Sequence, residues 1–233
     1  MKVVSFRLTL QTVVAGLILP AAAYAAELGG HYHHHHHRAA LAAHPSKTGL
    51  EAKVQFCSEC HGKAFHGYQG YYTIPQLAGQ QPQYLENQFN SIHDRVRNDP
   101  IAQRFMWPIL SHVPKDLFPA IAQHISELDA APAADGPRHL VDAGRKIFEE
   151  GVPDANVPAC SACHGPDAHG QDQVPRLAGQ LYPYLASELA EWQKGYRSKD
   201  PADPSNENTM VPIAGALSKE QIKEVAAYLS YQK

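Results

Sequence analysis

The sequence is poor in cysteine, in methionine and in long apolar runs, and each scarcity narrows the class of protein. Only four cysteines and three methionines occur in 233 residues. After the N-terminal segment, no stretch approaches the roughly 18 consecutive apolar residues that a membrane-spanning helix needs. Basic residues number 20 against 23 acidic ones, whereas a nucleic-acid binder needs a basic face. We therefore expect neither an integral membrane protein nor a nucleic-acid partner.

Residues 1–25 have the order of a secretory signal peptide. Lys2 and Arg7 precede a short apolar run, and the A-Y-A sequence at residues 23–25 is typical of a cleavage site. Cleavage would remove both basic residues and leave 18 basic and 23 acidic side chains, a net charge of −5. The alternative is an uncleaved membrane anchor. We expect cleavage and a mature protein in the periplasm.

A histidine-rich segment follows the expected cleavage site. The sequence HYHHHHHR begins at His31, and such tracts can bind transition metals. A disordered arm or an inserted tag explains the same composition equally well. We assign residues 26–44 to a flexible N-terminal arm.

The rest of the chain is an internal repeat. FCSECHG at residues 56–62 returns as ACSACHG at 159–165, and IPQLAGQ at 74–80 returns as VPRLAGQ at 174–180. Between the copies, the segment from Asp129 to His139 is rich in Ala, Pro and Asp, which favours an exposed connector. We predict a first domain at residues 45–128, a linker at 129–139 and a second domain at 140–233.

Each half is predicted to be helical. Sustained strand-like alternation is absent, and the last segment of each half carries apolar residues at helical spacing. Ser218 and Gln221 form a capping-box pattern before the final helix. Further helices are expected over 82–94, over 183–194 and ahead of each cysteine pair, the first of them from Thr48 to Phe56. The fold class is therefore all-α.

All four cysteines belong to two C-x-x-C pairs, each followed at once by histidine. Disulfides, a redox dithiol or half of a zinc site would account for the pairs, but not for the histidines. C-x-x-C-H is the attachment signature of c-type haem, in which the histidine ligates the iron. We expect two covalently bound haem c groups, with His61 and His164 as iron ligands. Their thioether-forming residues are Cys57, Cys60, Cys160 and Cys163.

Two methionines remain after the signal peptide, and both occupy an M-x-P-I context. Met106 lies 45 residues after His61, and Met210 lies 46 after His164. A lone methionine is more often a core filler, but matched positions in a repeat favour axial haem ligands. His93 or His112 would be the alternative ligand in the first half.

These motifs resemble those of the dihaem cytochrome c4 family, which is built from two tandem class I cytochrome c domains. The resemblance implies that the first and last helices of each domain cross over the haem. It also implies that the carbonyls of Pro75 and Pro175 accept a hydrogen bond from the ligand histidines. The general preference of proline for loops explains these two residues equally well. Arg176 would pair a haem propionate; the alternative is a solvated surface arginine.

The resemblance further implies a periplasmic electron carrier rather than an enzyme. Its donor would be a membrane quinol-oxidising complex or a dehydrogenase, and its acceptor a terminal haem-copper oxidase or another redox protein. Peripheral membrane association is compatible with this role. The alternatives are the cytochrome subunit of a dehydrogenase such as flavocytochrome c sulfide dehydrogenase, a dihaem peroxidase, and a haem-free zinc or thiol protein.

Overall fold

A computed structural model describes residues 49–197 and 209–233. The predicted signal peptide, the segment 26–44 with its histidine tract, and Thr48 lie outside the described residues. Contacts group residues 45–233 into one unit. The predicted all-α fold with two tandem domains is confirmed, because the two parts of this unit carry helices in the same order. We refer below to residues 45–128 as the first half and to 140–233 as the second half.

The first half consists of short helices and one small hairpin. Its elements are α1 (Gly49–His61), β1 (Tyr68–Gln69), β2 (Thr73–Ile74), α2 (Pro82–His93), a π-helical turn (Ala102–Met106), α3 (Trp107–Leu110) and α4 (Phe118–Ser126). The antiparallel hairpin pairs Tyr68 with Ile74. It is the one departure from an all-helical half among the described residues, and its two-residue strands are too short to show alternation in the sequence.

In its described residues, 140–197 and 209–233, the second half repeats this plan without the hairpin. Its helices are α5 (Val141–Glu150), α6 (Ser161–His164), α7 (Tyr182–Gln193), α8 (Met210–Ala216) and α9 (Lys219–Ser230). The predicted capping box starts α9, because the Ser218 hydroxyl accepts from the Gln221 N–H and the Gln221 side chain accepts from the Ser218 N–H. In the first half, proline replaces this serine, and a 3₁₀ turn from Lys115 to Leu117 precedes α4.

The first and last helices of the second half pack closely. A Cβ at Gly144 of α5 would lie 1.9 Å from the carbonyl oxygen of Glu224 in α9, so only glycine permits this approach. The Phe148 and Tyr228 rings meet with centroids 5.4 Å apart. In the first half, where His124 replaces the tyrosine, an open groove bordered by Leu50 and His124 separates α1 from α4. The implied helix crossing is therefore tight in the second half and loose in the first.

The two cysteine segments differ in how they follow the preceding helix. α1 runs without a break through Cys57 and Cys60 to His61, so the prediction that this helix ends at Phe56 is wrong. In the second half, α5 ends at Glu150 and a short 3₁₀ turn from Pro153 to Ala155 intervenes before α6. The reason is the additional segment 151–159, which closes on itself through a Val152–Val157 bridge.

The linker is not the freely exposed connector that its composition predicts. Its backbone donates hydrogen bonds to both halves, from Ala131 to Gln76 Oε1 at 3.2 Å and from Ala134 to the Ser230 carbonyl at 2.8 Å. Gly136 is buried and donates to Ser230 Oγ. The linker therefore joins the two halves through hydrogen bonds at several positions.

Candidate functional site

The predicted ligand histidines occupy matching positions in the two halves. Nδ1 of His61 lies 3.0 Å from the Pro75 carbonyl oxygen, and Nδ1 of His164 lies 3.0 Å from that of Pro175. Both histidines are buried, with 7% and 6% of the residue surface exposed. The hydrogen bond that the family resemblance implied is thus present twice.

Glycine makes this geometry possible. The loop after each histidine returns close to the proline segment, so that a Cβ at Gly67 would lie 2.4 Å from the Ile74 carbonyl oxygen and one at Gly170 would lie 2.2 Å from that of Val174. Both glycines also have a positive φ, which L side chains rarely adopt. The loop can therefore deliver the proline carbonyl to the imidazole.

The hydrogen bond determines the tautomer of each imidazole. A carbonyl oxygen only accepts, so Nδ1 must carry the proton, and Nε2 of a neutral ring then carries a lone pair. Burial lowers the pKa of His61 and of His164, although the hydrogen bond to the proline carbonyl opposes this. A neutral imidazole with a free Nε2 is the form that binds a metal.

In the first half, the predicted haem-binding residues line one apolar cavity. Cys57, Cys60, His61 and Met106 all contribute to its wall. The remaining lining residues are mostly apolar: Phe56, Glu59, Leu77, Phe89, Ile109, Leu110, Val113, Phe118, Ile121 and Ile125. Two thiols, an imidazole and a thioether around an apolar space fit a covalently attached haem.

The segment that carries Met106 is held in place by hydrogen bonds. The Asp99 carboxylate accepts from the Ala102 N–H at 2.9 Å at the start of the π-helical turn. The Trp107 indole donates to the Arg97 carbonyl at 2.9 Å. In the second half, Met210 is the first residue of α8 and is half-buried.

The alternative ligands in the first half lie elsewhere. His93 contacts the Asp94 carboxylate at 2.9 Å, and His112 contacts the Ser111 hydroxyl at 2.9 Å. Neither histidine contributes to the wall of the cavity that Met106 lines. This placement favours Met106 over both.

The first cysteine of each pair does not have the lowered pKa of a reactive dithiol. All four lie in the described part of the chain and none forms a disulfide. Burial raises the pKa of the Cys57 thiol and raises that of Cys160 to about 11, whereas a reactive dithiol requires a lowered pKa. Among residues 49–197 and 209–233, no group of three or more His, Cys, Asp or Glu side chains is arranged to hold a metal ion.

The repeated P-x-L-A-G-Q segments face each other across the two halves. The Gln76 N–H donates to Gln180 Oε1 at 2.9 Å, and Gln180 Nε2 donates back to the Gln76 carbonyl at 2.8 Å. The Arg176 N–H and carbonyl make the same pair of bonds with the Gln80 side chain, at 2.7 and 2.9 Å. Each half therefore supplies the amide that binds the backbone of the other.

A buried charged cluster forms a second contact between the halves. Arg97 donates to one oxygen of Glu188 at 2.8 Å, and Arg197 pairs with the other oxygen. Both guanidinium groups also donate to Gln88 Oε1 at 3.0 Å. Asp99, 2.8 Å from Arg97, supplies the second carboxylate, so two arginines balance two acids. Gln88 is the repeat equivalent of Glu188, and a carboxylate there would upset this balance.

Sequence reasoning missed this interface. The repetition of Arg97 as Arg197 could have indicated a contact between the halves. Gln76, Gln80 and Gln180, in contrast, lie in segments whose composition is that of surface loops.

Arg176 has a half-buried side chain whose Nε donates to the Ala178 carbonyl at 3.2 Å. Its role towards a propionate remains a prediction.

No helix in the described part of the chain is long and apolar enough to cross a membrane.

The cytochrome c family model matches residues 141–233. A cytochrome c-552 of Acidithiobacillus ferridurans is 34% identical over 75% of this chain and 72% of its own length. A thiosulfate dehydrogenase electron acceptor of Stutzerimonas stutzeri is 31% identical over 78% of this chain and 81% of its own length.

A solved structure shows the same architecture. The cytochrome c4 of Acidithiobacillus ferrooxidans superposes with a TM-score of 0.66 at 32% identity, over 76% of this chain and 99% of that one. Together with the duplicated C-x-x-C-H segments, these likenesses establish two covalently bound haem c groups. The chain is an electron-transfer cytochrome and belongs to the dihaem cytochrome c4 family.

Proposed function

We propose that this protein is exported to the periplasm and carries single electrons from a respiratory donor complex or dehydrogenase to a terminal acceptor such as a haem-copper oxidase. The observation that supports this role most strongly is the duplication of the histidine geometry. Two buried imidazoles, each bonded to a proline carbonyl at 3.0 Å, lie in halves joined by buried hydrogen bonds.

The axial ligand pairs that we propose are His61 with Met106 and His164 with Met210. Bound haem supplies a reversible one-electron change at iron, and a methionine ligand raises the reduction potential. The chain keeps Nε2 of each histidine unprotonated through the proline carbonyl, and it surrounds the first site with an apolar wall that excludes water. The Arg176 guanidinium is proposed to pair a haem propionate in the second half.

A second candidate function follows from a relative. A protein 31% identical to this chain is named a thiosulfate dehydrogenase electron acceptor. The donor of this chain would then be a dehydrogenase that oxidises an inorganic sulfur compound. The residues described above serve either donor, because both require only a one-electron acceptor.

Two measurements test the dihaem assignment, and a third separates the two candidate donors. Intact mass should exceed that of the mature polypeptide by two haems, and alkylation after reduction should label none of the four cysteines. A shortfall of one haem, or a labelled pair, would contradict the dihaem assignment. Stopped-flow mixing of the oxidised holoprotein with thiosulfate and a purified thiosulfate dehydrogenase then tests the donor: fast, saturable reduction supports the second candidate, and no reduction supports a different respiratory donor.

A further inference from the structure

The large apolar side chains that the described residues expose all lie in the first half. They are Tyr68 (62% exposed), Tyr71 (93%), Ile101 (41%), Phe105 (36%) and Phe56 (48%), of which Phe56 belongs to the wall of the haem-binding cavity. Single exposed apolar residues are ordinary, whereas a group of them marks an interaction surface. The two halves therefore present different surfaces to partners, although their haem-binding residues match.

Three of the aromatic rings in this region form a contiguous group. Tyr71 meets Tyr72 edge-on with centroids 4.8 Å apart, and Tyr72 meets Phe105 at 4.9 Å. The Arg104 guanidinium lies 5.3 Å from the Tyr72 ring centroid and 5.5 Å from that of Phe105. We call these four residues the aromatic cluster. The few residues that contribute most of the binding free energy in protein interfaces are enriched in aromatic side chains and arginine.

The aromatic cluster depends on an insertion that only the first half has. The bonded histidine and proline are 14 residues apart in the first half and 11 in the second. The additional residues form the hairpin whose tip carries Tyr71 and Tyr72. In the second half, the corresponding turn is a single bridge between Gln171 and Val174 with an exposed Asp172 at its tip. The second half thus offers an acidic turn where the first offers aromatic rings.

The aromatic cluster is adjacent to the proposed electron path. Phe105 directly precedes Met106 in the π-helical turn, and Met106 lines the cavity that holds Cys57 and His61. A protein seated on the cluster would therefore lie next to the first haem-binding cavity. Electron transfer requires such proximity, so the location suits a redox partner better than a structural one.

The charge around the aromatic cluster determines the kind of partner. The two segments that build it, 62–76 and 100–113, contain Lys63 and Arg104 but no aspartate or glutamate. Lys63 lines a groove that Glu51 and Glu59 also border, so Arg104 is the cation that the cluster itself presents, on a mature chain that is acidic as a whole. A partner with an acidic face would be guided here and a basic one would not.

We propose that the aromatic cluster is the docking site for an electron-transfer protein with an acidic face, and that this partner exchanges electrons with the first half. The proposal rests on the proposed function as an electron carrier. Two cations are too few for stable attachment to an anionic membrane, which commonly needs clusters of four to eight. The partner is thus a protein and not a lipid surface.

The test uses the reduced holoprotein and oxidised plastocyanin, a copper protein with an acidic face. One electron passes from a ferrous haem to Cu(II), giving ferric haem and Cu(I), and no proton moves. We expect a second-order rate constant that falls with ionic strength. Tyr71→Ser and Arg104→Gln should each lower it about tenfold, while Arg145→Gln, which removes an exposed charge from the second half, should leave it unchanged.

Oxidation by tris(phenanthroline)cobalt(III) is the control for haem function, because a small complex needs no protein docking face. All variants should react with it within about twofold of the wild type. If neither oxidant reacts with the wild type, the electron-carrier function fails. If the cobalt complex reacts but plastocyanin does not, or if plastocyanin oxidises all variants equally fast, the docking site is wrong. Sedimentation showing a dimer that Tyr71→Ser dissociates, or flotation with anionic vesicles, would likewise overturn it by assigning the cluster to another occupant.

Discussion

Gln180 binds the backbone of Gln76 twice, accepting from its N–H at 2.9 Å and donating to its carbonyl at 2.8 Å. Both residues are buried, and they come from different halves of the chain. An arrangement of this kind fixes distance and orientation together, because both backbone groups of one residue are held by one planar amide. The relative position of the two haem-binding segments therefore depends on it.

Removing this amide should destabilise the protein measurably. Gln180→Ala leaves a buried N–H and a buried carbonyl of Gln76 without their partner, which costs about 1–3 kcal/mol. Guanidinium chloride unfolding of the holoprotein would measure the loss. Gln123→Ala, at an exposed glutamine bonded to Glu127, should change stability by less than about 0.5 kcal/mol. Equal effects of the two substitutions would contradict the interface described here.

The charged cluster should be more sensitive still. Glu188→Gln removes the carboxylate that Arg97 and Arg197 share, and breaking a buried ion pair from one side costs about 3–5 kcal/mol. Glu220→Gln disrupts the exposed pair with Lys223 and should cost less than about 1 kcal/mol. Thermal unfolding monitored by circular dichroism distinguishes them, and a Glu188 variant as stable as the Glu220 variant would show that the cluster is not buried in solution.

Glycine at position 144 should be essential for the second half. Gly144→Ala would place a methyl group 1.9 Å from the Glu224 carbonyl oxygen, so α5 and α9 must separate, at a cost of several kcal/mol. Gly215→Ala is the matched control, because a Cβ there has no heavy atom within 4 Å. This second substitution, also within a helix, should be neutral or stabilise by about 0.5–1 kcal/mol. Differential scanning calorimetry would compare them, and tolerance of alanine at 144 would contradict the helix crossing.

Asp99 should make stability depend on pH. Burial alone would raise the pKa of its carboxyl, but Arg97 and the Ala102 N–H together bring that pKa below its ordinary value. The stabilisation is therefore complete above the unfolded pKa, about 3.9, and is lost as the pH falls through the lower folded pKa. Asp99→Asn should reduce the free energy of unfolding at pH 7 by about 1–3 kcal/mol and flatten its decline below about pH 4. Asp172→Asn, at an exposed position, should change the free energy of unfolding at pH 7 by less than about 0.5 kcal/mol.

The cofactor chemistry was readable from the sequence because it requires particular residue types at fixed spacing. Cys57, Cys60 and His61, and their repeats, could be proposed as the haem-binding residues without coordinates. The final helix was equally readable, since Ser218 and Gln221 carry a local capping pattern.

The contact between the two halves could not be predicted from the sequence, for a physical reason. Gln76 and Gln180 are 104 residues apart, and a glutamine that bonds a distant backbone has the same local sequence as a solvated one. The linker shows the same limit: its composition is that of a loop, whereas its N–H groups bond to Gln76 and Ser230. A hydrogen bond made by a backbone N–H or carbonyl does not require a particular residue type, so the sequence gives little indication of it.

The central claim is that each iron has one histidine and one methionine ligand, and a redox titration of three proteins tests it most directly. The wild type should show two different reduction potentials, because the residue after the histidine-bonding proline is neutral in the first half (Gln76) and cationic in the second (Arg176). Met106→His should lower one potential by on the order of 0.1 V, within the roughly 0.8 V range that axial ligands span, and leave the other nearly unchanged. Met210→His should do the converse. If either substitution left both potentials at their wild-type values, that methionine would not be a ligand, and the account of that site would be wrong.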